Sequence, residues 1–351
     1  MATTQLAAVI GNANVFGQWV LEETMRLSGI DASPVVAEDD ELNAWLATQG
    51  NIKWTGPKYD SLDRTQVEKV ITQTDGAQFA GGTAAAVPLD ITSHIEEAVR
   101  TERANWWSAS KLSKYLNLRQ SDPLQMIISD LAGYWAFRRQ AMWLSAWLGV
   151  FADNDLAPGG SDTHTQFDLT LDRSNAGAFS AGVTNFTAEN AIDTLGLMGD
   201  AEDDLGYIVT HSTVRRTMEK NDLLDVIKDS QPGQPKSYRG RPLIVNDEMT
   251  KGAGNVYHTY FMGAGCTRRG VGQPDDSFEL AHFAEAANGG GQDVAFSRVR
   301  WCLHPKGYRF IGTPAGAGGA TNAELAAAAN WSRSAKERKQ VKVARLITTE
   351  S

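Results

Sequence analysis

The sequence predicts an α+β protein. Three observations carry this: one long helix from Asp122 to Phe151, a strand–turn–strand excursion around Asp75-Gly76, and short apolar strands from Tyr207 to Ile347 interleaved with short helices.

The helix is the best-marked element. Asp122 suits an N-cap, Pro123 the first helical position, and Gln125 the place where a capping box has Glu or Gln. Its thirty residues give a rod of about 45 Å. In the first half Leu124, Ile127, Ile128, Leu131, Tyr134 and Trp135 recur at helical spacing. From Met142 to Phe151 apolar side chains go all the way round, which predicts a helix enclosed on every side. The apolar run is about a dozen residues, short of the roughly 20 that a bilayer needs, and Arg138 and Arg139 precede it.

Taken in order, Asn14 to Ser28 reads as an amphipathic helix stopped by Gly29, and Glu38-Asp39-Asp40-Glu41 as a solvated acidic face. Ile52 and Trp54 alternate with polar residues before Gly56-Pro57. Thr65 to Thr74 is strand-like, Asp75-Gly76 is a hairpin signal, and Ala77 to Phe79 begins the return. A two-stranded excursion with so few apolar residues needs a neighbouring surface. Ala104 to Leu116, rich in Trp, reads as a short helix.

After the long helix comes loop with one strand, Gln166 to Leu171, then a helix from Glu189 to Met198 capped by Thr187. Strands are predicted at Tyr207 to Thr210, Pro242 to Asn246, Val256 to Met262, Phe296 to Cys302, Tyr308 to Ile311 and Val341 to Ile347. Helices are predicted from His211-Ser212 to Lys220 and from Ala323 to Trp331. No fixed-period repeat occurs.

The 351 residues leave room for two or three compact units. A net charge of -9 argues against a sequence-reading DNA binder, which needs a Lys and Arg surplus. Cys266 and Cys302 are too few for an all-Cys zinc site or a disulfide framework, so reduced thiols in a cytoplasmic product are expected. The N-terminal MATTQLAAVI lacks the basic flank and apolar length of a signal peptide.

No active site assembles from the motifs. Gly263-Ala264-Gly265 and the Gly312 to Gly319 loop complete neither a dinucleotide fingerprint nor a P-loop. His211-Ser212 sets a base beside a nucleophile, but Ser212 is better read as an N-cap. His94, His164, His211, His258, His282 and His304 form no metal pair on one helix. Asp153, Asp155 and Asp162 are candidate ligands for a hard cation, at a spacing that matches no calcium loop. The tail from Arg333 to Arg345, with six basic residues and one acid, reads as a solvated or inter-subunit salt-bridging face. No catalytic, cofactor-binding or metal residue is therefore expected, and no enzyme.

Read together, SDPLQ…YWAFRRQ…LSAWLGVF (121–151), LGLMGDAEDDLGYIVTHS (195–212), RGRPLIVND (239–247), YHTYFMGAG (257–265), RVRWCLHPKGY (298–308) and the ending NAELAAAANWSRSAKERKQVKVARLITT resemble the major capsid proteins of tailed double-stranded DNA phages. The resemblance spans nearly the whole chain and rests on the order and spacing of these pieces.

It implies the Johnson fold, shared with herpesvirus capsid floors and encapsulins. Residues 1–48 would be an N-terminal arm, 49–103 an extended loop lying on an adjacent subunit, and 104–186 a peripheral domain with its spine helix at 122–151. Residues 187–275 would be an axial domain, and 276–351 would complete both domains. The implied function is an icosahedral shell of pentamers and hexamers enclosing DNA without sequence-specific binding. A separate scaffolding protein, a portal and possibly a decoration protein would be partners, with assembly in the host cytoplasm and no membrane. Some members crosslink through a loop lysine; Lys53, Lys58 and Lys69 are available here, without a matching pattern. An encapsulin-like compartment is the rival reading on this fold, and a mixed α/β enzyme the rival from another class.

Overall fold

The computed structural model describes residues 29–48, 51–59, 93–110, 123–158, 164–224, 237–249, 251–272, 274, 277–283, 292–335 and 337–351. The expected helix at Asn14 to Ser28 and the Asp75-Gly76 turn lie outside them, as does the Asp122 cap. Among the described residues no helix is long and apolar enough to cross a membrane.

The long helix, α2 (Pro123–Asn154), runs 32 residues. From Met142 to Asn154 no residue is exposed, as the all-round apolar pattern predicts. One flank meets a sheet whose central strand is β12 (Gln292–Pro305). There Trp135 stacks edge-on against Trp301 with ring centroids 5.6 Å apart, and its indole N–H donates to Ser297 Oγ at 3.0 Å. The C-terminal half meets a second sheet through Phe151, 4.8 Å from the Tyr260 ring. Trp143 and Trp147 both donate to Thr267 Oγ1 at 3.0 Å, so one hydroxyl satisfies two buried indoles.

Along β12, β10 (Thr267–Gly272) and β11 (Phe278–Phe283) pair antiparallel with its two halves, while β4 (Thr101–Ser110) pairs antiparallel over ten residues. The strand β1 (Val36–Glu38) adds parallel to β10. Here the expected helix from Ala104 is corrected. Over 101–110 the chain is a strand, with Ala104 and Trp106 exposed and Trp107 turned inward against Tyr134 and Trp135. Aromatic residues suit a pleated, half-buried surface, and the β12 ladder overrides the local helical reading.

The outer face of this sheet is covered near Cys302 by Leu42 and Leu46 of α1 (Asp40–Ala47) and by Trp54 and Ala98. The last two belong to an antiparallel ribbon, β2 (Lys53–Tyr59) with β3 (Ser93–Val99), in which Tyr59 and Ser93 are paired. Gly56-Pro57 does not interrupt β2. Tyr59 and Ser93 are therefore neighbours at the end of the described ribbon.

The second sheet has six strands in the order β5 (Thr170–Asp172), β15 (Val343–Thr349), β9 (Val256–Met262), β6 (Tyr207–Thr210), β8 (Arg241–Val245) and β7 (Ser237–Tyr238). Arg239 and Gly240, both at positive φ, turn β7 into β8. The helix α3 (Ala188–Gly196) starts at Thr187, whose hydroxyl accepts from Asn190 N at 3.1 Å, as expected. α4 (Ser212–Lys220) crosses between the parallel strands β6 and β8.

Two expected elements are shorter. The strand beginning at Gln166 is reduced to β5. The helix from Ala323 to Trp331 is α5 (Asn322–Ala326), closed by a Thr321–Glu324 capping box; the chain then makes a 3-10 turn and becomes β14 (Trp331–Arg333), paired with β13 (Tyr308–Phe310). Trp331 packs so near Gly149 of α2 that a Cβ at 149 would overlap its indole and the Leu325 carbonyl.

Candidate assembly surfaces

The residues considered for chemistry are occupied with holding the fold. His211, not Ser212, caps α4: its Nδ1 accepts from Thr213 N at 3.1 Å, while Ser212 N donates to Asp247 Oδ1 at 3.3 Å. Burial holds the His211 pKa down, against the pull of Asp247. His164 Nε2 lies 3.3 Å from the Leu156 carbonyl, and His258, half-buried, and His304, buried, lie in different sheets. The side chains of His94 and His282 fall outside the described residues, as does Asp162. Asp155 is engaged by Arg345 Nη2, at 2.6 and 2.5 Å to its two oxygens. Both cysteines are buried, which pushes their thiol pKa up to about 12. Among the described residues no group of three or more His, Cys, Asp or Glu is placed to hold a metal ion.

The basic tail is also corrected. Arg333 donates to Asp168 Oδ2 at 2.6 Å, Arg345 is paired as above, Lys342 lies 3.1 Å from Asp204, and Lys339 pairs with Asp200. These charges tie the last segments to their own chain, two of them in the interior. Glu350, one residue from the end, is buried and accepts from Phe186 N at 3.0 Å and Thr217 Oγ1 at 2.6 Å.

The acidic cluster is not a plain solvated face either. Asp39 caps α1 and pairs with Arg268 of β10; hydrogen bonds from that guanidinium, opposing the effect of burial, hold the Asp39 carboxyl below its usual range. Arg268 Nη1 also donates to Glu96 Oε2 of β3 at 2.7 Å, and Gly307 N donates to Glu96 Oε1 at 3.0 Å. The Arg268 guanidinium sits 5.3 Å from the Trp54 ring centroid. One buried cluster thus joins α1, the root of the ribbon and the β12–β13 turn. Sequence reasoning missed it, although an Asp just before a helical run signals a cap. Of the three lysines, Lys53 donates to the Ile311 carbonyl at 3.1 Å; the Lys58 side chain and Lys69 lie outside the described residues.

What the chain leaves to solvent is apolar in places. Trp106 is 63% exposed beside Phe296, with Arg298 and Glu279 paired at 3.1 Å across the same face. Phe137 is exposed on α2, Ile192 on α3, and Phe179 and Val183 in the loop that leads to α3.

A long helix, enclosed in its C-terminal half and lying against two sheets, with a two-stranded ribbon packed on the outer face of one of them, is a capsid-shell fold. Two solved structures share it: the capsid of Ralstonia phage GP4, at a TM-score of 0.52 and 12% identity over 90% of this chain and 87% of that one, and the cyanophage Pam1 capsid, at 0.50 and 12% over 93% of each. No family model matches the chain. The major capsid protein of Bacillus phage SPP1 is 31% identical over 339 residues, 95% of this chain and 94% of that protein. The chain belongs to the family of phage major capsid proteins.

Proposed function

We propose that copies of this chain assemble as pentamers and hexamers into an icosahedral shell around double-stranded DNA. The observation that carries this is the relationship to a phage major capsid protein along almost the full length of both chains. The net charge of -9 is consistent with a wall that encloses DNA without gripping its phosphates. The described ribbon strands, β2 and β3, are the root of the extended loop, and α2 is the spine of the peripheral domain. The axial domain is the six-stranded sheet with α3 and α4, which takes in β5 ahead of residue 187. A separate scaffolding protein, a portal and a decoration protein are the proposed partners, and assembly takes place in the host cytoplasm before the protein resides in the virion.

The test is imaging of particles made when the chain is expressed with its neighbouring gene products. Shells whose capsomers are pentamers and hexamers of this chain are expected. Recovery of the chain only as a minor internal or tail component would overturn the assignment.

A further inference from the structure

Among the described residues the buried apolar side chains fall into two separate cores of very different size. The main core joins α2 to both large sheets. The small one, on the outer face of the β12 sheet, consists of Leu42 and Leu46 of α1, Ala98 of β3 and Cys302 of β12, with Trp45 and Trp54 at its margin. Val36, Ile52 and Val99 belong to the main core or pack against it. The chain is therefore anchored on either side of α1 and at the base of the ribbon, while α1 itself and the ribbon beyond Ile52 and Val99 rest on the small core.

The seat of α1 is bare backbone. Gly270 and Gly272 of β10 face the helix: a Cβ at 270 would lie 2.7 Å from Leu42 Cβ and 2.9 Å from Leu46 Cδ1, and one at 272 would lie 2.8 Å from Leu46 Cβ. Between them Val271 N donates to Asn43 Oδ1 at 2.8 Å, and Arg300 Nη1 of β12 donates to the Leu46 carbonyl at 3.1 Å. Interdigitated side chains lock packed elements together. A glycine lane has none, so α1 can leave it and return without any change of rotamer at positions 270 and 272.

The rest of the seam is polar. Arg268 pairs with Asp39 at the head of α1, lies 3.6 Å from Glu41, donates to Glu96 of β3 at 2.7 Å and sits 5.3 Å from the Trp54 ring centroid. Glu96 also accepts from Gly307 N, and Lys53 donates to the Ile311 carbonyl. Parted charges regain water, so such contacts fix the position of a docked piece and add little to the cost of lifting it. One guanidinium holds carboxylates from both α1 and β3, which ties the two pieces to each other.

We propose that α1 and the root of the ribbon form a strap that lifts from the β10–β12 face as one unit, hinged at Val36 and at Ile52 with Val99, while the main core stays folded. A segment with few buried apolar contacts opens at a lower free energy than the core on which it lies. The strap lets a single subunit redirect its ribbon without unpacking α2 from either sheet. It is a property of the single chain and stands apart from the shell-building reading above.

Cys302 lies under the strap and Cys266 in the main core, and both are buried. The test is alkylation of the full chain in solution with iodoacetamide over a range of low urea concentrations, with the two sites resolved by peptide mass spectrometry. Cys302 should react roughly tenfold faster than Cys266, with a much weaker dependence on urea, because local opening exposes little surface. Trp147→Phe, a change within the main core, should speed Cys266 and leave Cys302 unchanged. Gly270→Ala puts a methyl group under α1 and should speed Cys302 roughly tenfold. Equal rates with the same urea dependence in the unaltered chain would overturn the proposal, since Cys302 would then be reached only by unfolding the whole subunit. Acceleration of both thiols by Trp147→Phe would overturn it as well. An unchanged Cys302 rate in Gly270→Ala would show that α1 does not open from the glycine lane, and the strap would fall with it.

Discussion

Arg139 and Asp31 form an ion pair, Nε to Oδ2 at 2.5 Å, with both side chains closed off from solvent. The Arg139 guanidinium also lies 5.1 Å from the centroid of the Trp301 ring. Burial lowers its pKa and Asp31 opposes that shift. The pair fastens the segment before β1 to the middle of α2, so the N-terminal region is part of the body from Gly29 onward.

Removing one partner leaves the other charge buried and unmatched. Asp31→Ala or Arg139→Ala should each cost about 3–5 kcal/mol. The double change Asp31→Leu with Arg139→Met should cost much less than the sum, because no charge is left behind. Urea unfolding of the two singles and the double provides the cycle; strictly additive losses would show that the residues are not coupled.

Trp147 is fully enclosed, between Phe151 and Trp143 along α2, and its indole donates to Thr267. Trp147→Ala should destabilise by about 3–5 kcal/mol, through lost burial and the cavity it leaves. Trp147→Phe keeps most of the volume and loses one hydrogen bond, worth about 1 kcal/mol. Thermal unfolding of the soluble subunit ranks the two; equal losses would mean that the site collapses around the smaller ring.

Gly149 has no room for a methyl group. The obstructing atoms are the Leu325 carbonyl and the Trp331 indole, which are bonded to each other at 2.6 Å. Neither can withdraw without breaking that bond, so Gly149→Ala should cost about 1–3 kcal/mol even though alanine favours helices. A gain in stability by calorimetry would show that α5 and β14 can shift away from α2.

Acid should weaken the fold from near neutrality downward. Burial holds the pKa of His304 at about 4 and of His258 at about 3, whereas an unfolded histidine titrates near ~6.5. Glu96 pulls His304 the other way and Arg268 adds to the depression. Both imidazoles are neutral in the folded chain, and the unfolded chain binds more protons below about pH 6.5. Their contribution is therefore complete above that value and is lost as pH falls from it through the folded pKa, about 3 kcal/mol for His304 alone. Urea midpoints at pH 7.5 and 4.5 should converge for His304→Gln relative to the unaltered chain. Parallel pH profiles would show that His304 takes no part.

Much of the fold was legible in the residues. The enclosed half of α2, the Thr187 cap and the strands Tyr207 to Thr210 and Val256 to Met262 follow from side-chain periodicity and capping, which act over a few residues. The family was legible because the order of whole segments survives along the chain.

Tertiary structure alone decided the rest. Ala104 to Ser110 became a strand because β12, nearly two hundred positions away, offers it a ladder. Asp39 turned inward because Arg268 sits 229 positions on, and Arg345 because Asp155 lies 190 positions back. The sequence by itself determined the enclosed half of α2, the Thr187 cap and most of the short strands. Only the folded chain decided which charges become interior pairs and which apolar groups stay outside, because both depend on partners that no local pattern specifies.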